Sequence, residues 1–542
     1  MLLRSAGPRD ICAVAADLGL TGDQVELHGR HRVKVRLDAL DTAPSRRGRY
    51  VLVTAITPSG HGVGKTVTAI GLAMGLRRLG ARAAVAIRQS AVGPTFGLKG
   101  GGGGGGASCV VPLEECLLGL GSDAFAVETA NNLLAAVVED AVFRGGDVDP
   151  RTVTWRRVLD VDDRSLRHLV VGLGGPSDGV PRETGFDITA ASEVMAILGL
   201  SRDRADLRAR LGAVVPAWTR SGRPVTAGDL GAAGAMAASL QEALQPNLMQ
   251  TSEGTPAFVH AGPFGNIATG NSSVVADRIA LPRVDYLVTE AGFGADLGAE
   301  KFFHLKCSAW GESPDAVVLV ASVPCLRDSG GATGQGPDVA AVEAGVANLV
   351  RHVEILHAFG APVVVALNRF PGDDPAEVRV VLDAARGAGV AGVAEHSAYA
   401  DGGEGCVELA DTVTRVCGTG GAVRPLYQPG DSVEEKVATL ATRVYGAADV
   451  AWQPAAVRAL ERFRAAGFGH LPVCVAKTHL SLSHDPTLKG APSGFTMPVR
   501  DVRLAAGAGF LTVYAGDITT MPGLPSRPRL RDIDVDAAGR IV

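Results

Sequence analysis

Cysteine is scarce in this chain: eight residues in 542, Cys12, Cys109, Cys116, Cys307, Cys325, Cys406, Cys417 and Cys474, with none of the paired spacings that hold zinc. A disulfide scaffold is therefore excluded, and reduced thiols in a cytoplasm are expected. Positive charge is not in excess either. The formal net charge is −5 with 46% hydrophobic residues, which leaves no electrostatic footprint for nucleic acid or an anionic membrane. No run reaches the roughly 18 apolar residues of a spanning helix, and the first residues, with Arg4, Arg9 and Asp10, contain no continuous apolar stretch of the kind that directs export. Internal repeats are absent. What remains reads as a soluble chain too long for one ordinary core, for which two or three domains are expected.

The stretch from Tyr50 to Arg88 organises the rest. Tyr50 to Ile56 is short, β-branched and nearly all apolar, as suits a strand buried on both faces of a parallel sheet. Thr57 to Gly64 is a loop. Thr66 to Leu79 carries Val67, Ile70 and Met74 at helical spacing and stops at Gly80, a C-cap residue, after which Ala83 to Ile87 reads as the next buried strand. A loop at the carboxyl end of such a strand lies where open parallel sheets bind ligands. Within Ser59-Gly60-His61-Gly62-Val63-Gly64-Lys65-Thr66, three glycines let the backbone NH groups and the helix N-terminus face a phosphate; Lys65 adds a full charge and Thr66 a hydroxyl for Mg²⁺. Ser59 stands where the standard phosphate-loop pattern has glycine.

Arg88 falls at the carboxyl end of the second strand, where a guanidinium can hold a carboxylate or phosphate oxygen bidentately. An unbroken glycine run, Gly100 to Gly106, follows; glycine runs are usually linkers, but this one sits between a site arginine and an apolar Val-Val-Pro segment within the expected first domain. Asp285 and Glu290 flank the apolar Tyr286-Leu287-Val288, so that either carboxylate can orient a Mg²⁺ shell or serve as a cap or surface charge. Asp315 to Val323 and Ala361 to Leu367 are further buried-strand candidates, and Asn368-Arg369 follows the second where a base can be read. Asp10 to Leu20 reads as a short amphipathic helix and the basic Val25 to Leu37 as a solvated edge. These elements predict an α/β fold: a large phosphate-loop domain with a mostly parallel sheet flanked by helices, plus two smaller α/β domains. Glycine-rich edges at 329–334 and 418–421 divide the chain into 1–335, 336–420 and 421–542.

Several of these motifs together resemble formate–tetrahydrofolate ligase: Gly62 to Thr66, Arg88-Gln89, Gly93-Pro94-Thr95-Phe96-Gly97-Leu98-Lys99 and Val110-Val111-Pro112. The likeness runs on collinearly through Asn131-Asn132, Gly185-Phe186-Asp187-Ile188-Thr189, Ser192-Glu193-Val194-Met195, Thr289-Glu290-Ala291-Gly292-Phe293-Gly294-Ala295-Asp296, Asn368-Arg369-Phe370-Pro371, Gly402-Gly403-Glu404-Gly405 and Ala476-Lys477-Thr478. The resemblance implies ATP-dependent condensation of formate with tetrahydrofolate to 10-formyltetrahydrofolate, ADP and phosphate through formyl phosphate. It also implies Mg²⁺, a monovalent cation (K⁺ or NH₄⁺) and a homotetramer. Lys65 and Arg88 would be catalytic, Ser59 to Thr66 would hold the nucleotide, and Phe293, Phe370 and Tyr399 would form the folate platform, with Tyr399 where the family usually has Trp. Metal ligands stay unassigned.

Departures from the family pattern set the alternatives. Gly60, His61 and Val63 stand for Pro, Ala and Glu; Gly102 and Gly103 for paired alanines; Ala107 and Cys109 for Tyr and Gln. Each added glycine brings backbone freedom that is lost on ordering, so a looser loop is expected. Gly119, Phe125 and Thr269 occupy histidine positions, His479 and Leu480 replace Gln and Tyr, and Asp401 replaces Lys. Replacing a protonatable or cationic group by Gly, Phe or Asp alters charge. Beside the ordinary ligase stand a paralogue with another carboxylate or amine acceptor and a catalytically weakened nucleotide- or folate-binding subunit.

Overall fold

The computed structural model describes residues 7–541 except 60–61, 98–101, 335, 419, 421–422, 538 and 540. One twelve-stranded sheet contains, in chain order, β1 (Val25–Leu27), β2 (Val33–Val35), β3 (Arg49–Ala55), β4 (Ala83–Ile87), β5 (Gly104–Gly105), β6 (Ser108–Val111), β7 (Asn247–Thr251), β8 (Pro256–Val259), β9 (Tyr286–Glu290), β10 (Ala316–Ala321), β11 (Val363–Asn368) and β12 (Gly392–His396). Their spatial order is β1-β2-β7-β8-β4-β9-β3-β10-β11-β12, with β6 against β7 and β5 against β6. From β8 to β12 every pairing is parallel. Tyr50 to Ala55 and the whole of β4, β10 and β11 are buried, which is why these segments read as unbroken apolar runs rather than alternating ones.

The helix Lys65–Arg78 crosses from β3 to β4 and is buried from Thr68 to Leu76. Glycine inside a helix costs about 1 kcal/mol relative to alanine. Here Gly71 and Gly75 have a packing reason: a Cβ at Gly71 would lie 2.7 Å from Ala398 Cβ and Cys406 Sγ, and one at Gly75 would lie 2.8 Å from Cys406 O. The close approach brings the turn after β12, with Tyr399, onto the side of this helix.

Asp10 caps the helix Ile11–Asp17, accepting from the N–H of Cys12 and Ala13; the helix lies within the expected Asp10 to Leu20 and ends three residues earlier. The basic segment after it differs from expectation. Val33, Lys34 and Val35 form a fully buried strand, and Lys34 Nζ meets Asp123 Oδ1 at 2.7 Å with neither group open to solvent. Lys34 Nζ also donates to Gln245 O at 3.0 Å and Asn247 Nδ2 donates to Asp123, so both members of the charge pair are further hydrogen-bonded.

The sheet continues past residue 335 into β11 and β12, and Gly330 packs tightly rather than hinging: a Cβ there would lie 1.8 Å from Ala341 O. Beyond residue 421, β13 (Asp449–Trp452) pairs in parallel with β15 (Thr496–Val499). A separate three-stranded sheet joins β14 (Val473–Ala476) and β17 (Phe510–Tyr514) in parallel, with β16 (Asp501–Ala505) antiparallel to β17. Val475, Leu511 and Val513 belong to the same apolar core cluster as Val51 and Val318. No helix among the described residues is long and apolar enough to cross a membrane.

Candidate active site

Parallel strands that run the same way end on the same edge. The loop beginning at Thr57 after β3, Arg88 after β4, Glu290 to Phe293 after β9, Ser322 after β10, Asn368 to Phe370 after β11 and Tyr399 after β12 therefore share the carboxyl edge of one sheet.

Within the glycine loop, Gly60 and His61 lie outside the described residues. Gly62 and Gly64 have φ of +72° and +90°, a region that side chains rarely enter, and Gly64 directly precedes the helix that Lys65 and Thr66 begin. Three side chains distant in sequence grip the loop. Asn368 Nδ2 donates to Val63 O at 3.0 Å, so closely beneath Gly64 that a Cβ there would fall 2.3 Å from the amide nitrogen. Asn348 accepts from Thr57 N at 3.2 Å and donates to Thr57 Oγ1 at 3.0 Å. The buried thiol of Cys325 lies 3.2 Å from Ser59 Oγ and 3.6 Å from Gly62 O. Asn368 thus supports the loop through Nδ2 while its buried Oδ1 has no partner among the described residues, and Arg369 pairs with Glu395 and faces Asp373 at 3.6 Å.

Thr66 Oγ1 donates to Glu290 Oε2 at 2.7 Å, which joins the helix start to the end of β9. Asn271 Nδ2 donates to Glu290 O at 3.1 Å and fixes the strand end further. Asp285 sits at the opposite, amino end of β9. There Arg82 and Arg46 hold its carboxyl well below the usual range against the upward pull of burial, so it is a structural ion pair remote from the loop.

Arg88 is half-buried. Its NH1 donates to Pro263 O at 3.2 Å, its NH2 lies against Gly292, where a Cβ would come within 3.1 Å, and its buried Nε has no partner among the described residues. Burial pulls the guanidinium pKa down and the charge of Glu290 pulls it back up. Thr66 and Glu290 are in contact, and Arg88 lies against Gly292, two residues beyond Glu290.

Phe293 carries φ of +61°, an uncommon conformation for a bulky residue. Such strain costs about 1–3 kcal/mol and persists where the surroundings over-determine it. Gly265 lies 3.0 Å from its ring in Cβ terms, and His479 stacks on it with centroids 4.6 Å apart and planes 24° from parallel. Phe370 and Tyr399 are 37% and 59% exposed on the neighbouring strand ends. Tyr399 is seated on the glycine run: Ala107 N donates to its carbonyl at 2.8 Å, and Cβ atoms at Gly105 and Gly106 would meet it at 3.3 and 2.1 Å. The described part of that run is a β5–β6 hairpin pressed against an aromatic, not a linker.

The exchanged positions fall in varied surroundings. Phe125 is 68% exposed on the helix Gly121–Phe143, Thr269 is buried, and the Asp401 carboxylate accepts from Ser397 Oγ at 2.6 Å. Burial raises the Cys109 thiol pKa, which suits a packed residue rather than a nucleophile. Two site-bordering groups were not singled out from sequence, Asn348 and Cys325; both act through partners more than 260 positions away, and no local pattern marks them.

Fold and site define an α/β protein of the doubly wound class whose sheet edge combines a glycine loop leading into a helix, a threonine–carboxylate contact, a half-buried arginine and displayed aromatics. A family model described as formate–tetrahydrofolate ligase matches residues 2–542, and the chain belongs to that family. Relatives named formate–tetrahydrofolate ligase include those of Roseiflexus sp. (strain RS-1), 54% identical with 100% of this chain and 98% of the relative covered, and of Saccharopolyspora erythraea, 51% identical with 99% and 98% covered. The one from Paracoccus denitrificans is 51% identical over 100% of this chain and 98% of its own length.

Proposed function

We propose that the chain ligates formate to tetrahydrofolate at the expense of ATP, giving 10-formyltetrahydrofolate, ADP and phosphate. Full-length similarity to ligases favours this activity over a changed acceptor or a non-catalytic subunit. The observation that carries the site assignment is the contact of Thr66 with Glu290 beside the glycine loop, with Arg88 lying against Gly292, two residues beyond that carboxylate.

Formate is a resonance-stabilised anion and a poor electrophile. Its oxygen attacks the γ-phosphorus of ATP, the bond from that phosphorus to the bridging oxygen breaks, and ADP leaves with formyl phosphate remaining. N10 of tetrahydrofolate then attacks the formyl carbon, loses its proton and expels inorganic phosphate. Positioning and charge neutralisation are what the first step requires of a protein. The backbone N–H groups from Val63 to Thr66 and the helix start cradle the phosphates, Lys65 compensates the charge on the transferred group, and Arg88 holds formate and the phosphoryl oxygens in line. Phe293, Phe370 and Tyr399 offer rings for the pteridine.

Thr66 and Glu290 are an all-oxygen pair of the kind that suits Mg²⁺, which usually binds one or two carboxylates besides phosphate oxygens and water. Bound there, Mg²⁺ would neutralise phosphate charge. The monovalent cation, the homotetramer and the cytoplasmic setting belong to the same proposal, as the family resemblance implies.

ADP release with ATP, Mg²⁺, formate and K⁺, measured with and without tetrahydrofolate, tests the reading. Release dependent on both formate and tetrahydrofolate is expected, and Lys65→Ala should lower it by about 10²-fold or more. Formate-independent release, or none above the Lys65→Ala blank, would overturn it.

A further inference from the structure

The segment 477–490 touches both halves of the candidate site. At its start, Lys477 is fully buried; its Nζ meets Asp296 Oδ2 at 2.7 Å and donates to Ser481 O at 2.6 Å. Asp296 lies three residues after Phe293, and His479, two residues beyond Lys477, stacks on the Phe293 ring. At its end, Gly490 O accepts from Asn348 Nδ2 at 2.7 Å, and the same side chain makes both bonds to Thr57 at the root of the glycine loop. Lys489 also meets Asp328 at 3.3 Å, on the helix Val323–Ser329 that carries Cys325.

The helix Val339–Ala358 spans the two ends. Asn348 and His352 are four residues apart on one face; Asn348 reaches the loop, and His352 Nε2 lies 3.7 Å from Asp296 Oδ1. Asn348 is 1% exposed, and its amide spends both kinds of bonding capacity on two segments that belong to different halves of the site. A shift of Thr57 must therefore break these bonds or be followed by Gly490. Buried amides of this kind have few alternative partners, since breaking one bond leaves a polar group unpaired.

From this arrangement we infer that Asn348 is a positioning residue that ties the nucleotide loop to the 477–490 strap, so that occupation of the loop changes the affinity at the Phe293 face. The inference rests on the proposed assignment of ATP to the glycine loop and tetrahydrofolate to Phe293.

The test is tetrahydrofolate affinity of the full-length protein, by fluorescence titration, with and without a non-hydrolysable ATP analogue. In the parent chain the analogue should shift the tetrahydrofolate dissociation constant by about fivefold or more, and tetrahydrofolate should shift the analogue's constant by the same factor. Asn348→Ala removes both ties and should bring the factor to about one. Asn348→Asp keeps an acceptor for Thr57 N–H but has no donor for Gly490 O; it should lose the linkage while retaining more analogue affinity than Asn348→Ala. Circular dichroism melts monitor folding. Should Asn348→Ala not fold, Thr57→Val, which removes one acceptor without changing shape, should show a reduced factor. A factor of one in the parent, or an unchanged factor in folded variants, overturns the inference while the ligase reading stands. Failure of either ligand to bind the parent overturns both.

Discussion

A methyl group at position 64 would be placed 2.3 Å from Asn368 Nδ2, on a backbone whose φ of +90° side chains rarely adopt. Gly64→Ala should therefore push the Asn368 amide off Val63 O, lower stability by about 1–3 kcal/mol and abolish ATP-dependent turnover. Urea unfolding and ADP release check the two parts separately; full activity with a normal midpoint would contradict the close approach. Phe293 presents the reverse case, a bulky residue held at φ of +61°. Replacing it with glycine relieves the backbone, so Phe293→Gly should leave the unfolding midpoint within about 1 kcal/mol of the parent. The tetrahydrofolate KM should rise about tenfold with little change in the ATP KM, because the ring stacking is lost. An unchanged tetrahydrofolate KM would remove Phe293 from the acceptor platform.

Between elements, two contacts carry measurable consequences. The helices Val323–Ser329 and Val339–Ala358 approach so closely at Gly330 that a Cβ would lie 1.8 Å from a backbone oxygen, and backbone cannot rotate aside as a side chain does. Gly330→Ala should cost about 1–3 kcal/mol, read as a lowered urea midpoint. Glu193 joins the helix Glu193–Leu200 to the turn after β16: its carboxylate accepts from Gly507 N at 2.7 Å and Ala508 N at 3.2 Å. Burial pushes its pKa up to about 7 despite those two bonds, from an ordinary 4.5. The folded chain holds this proton more tightly than the unfolded chain. The stability it contributes is complete below about pH 4.5 and is lost as the pH rises through about 7. Glu193→Gln accepts the same N–H groups without titrating, so its urea midpoint should fall less than the parent's between about pH 5 and about pH 8. Equal falls would rule out Glu193 as the titrating group.

For the molecule as a whole, the exposed apolar side chains are uneven. Val170 and Leu173, 52% and 73% exposed, stand on and beside the hairpin of Leu169–Val171 with Arg182–Thr184, and Phe125 is 68% exposed on the helix Gly121–Phe143. Apolar surface of this kind favours association, which suits the proposed homotetramer; light scattering should give four times the 55.5 kDa chain mass. A monomer at micromolar concentration would contradict it.

Legibility followed sequence distance. β3, the glycine loop, the helix Lys65–Arg78 and β4 were readable because apolar runs, turn glycines and helix spacing act over a few neighbouring residues. The buried state of Lys34 was not, since its charge reads as solvent-facing until Asp123, 89 positions on, is brought against it. Glu290 and Asp285 looked equivalent at the two ends of β9, and only the strand's direction within the sheet sends one to Thr66 and the other to Arg82. Sequence alone determined the α/β class and the family, and pointed to the glycine loop and Arg88 as site candidates, because these depend on local periodicity and collinear motifs. Tertiary structure alone decided which side chains support the loop: Asn368 and Asn348 lie 305 and 291 positions from their partners in it, and long-range contacts leave no periodic trace in the chain that makes them.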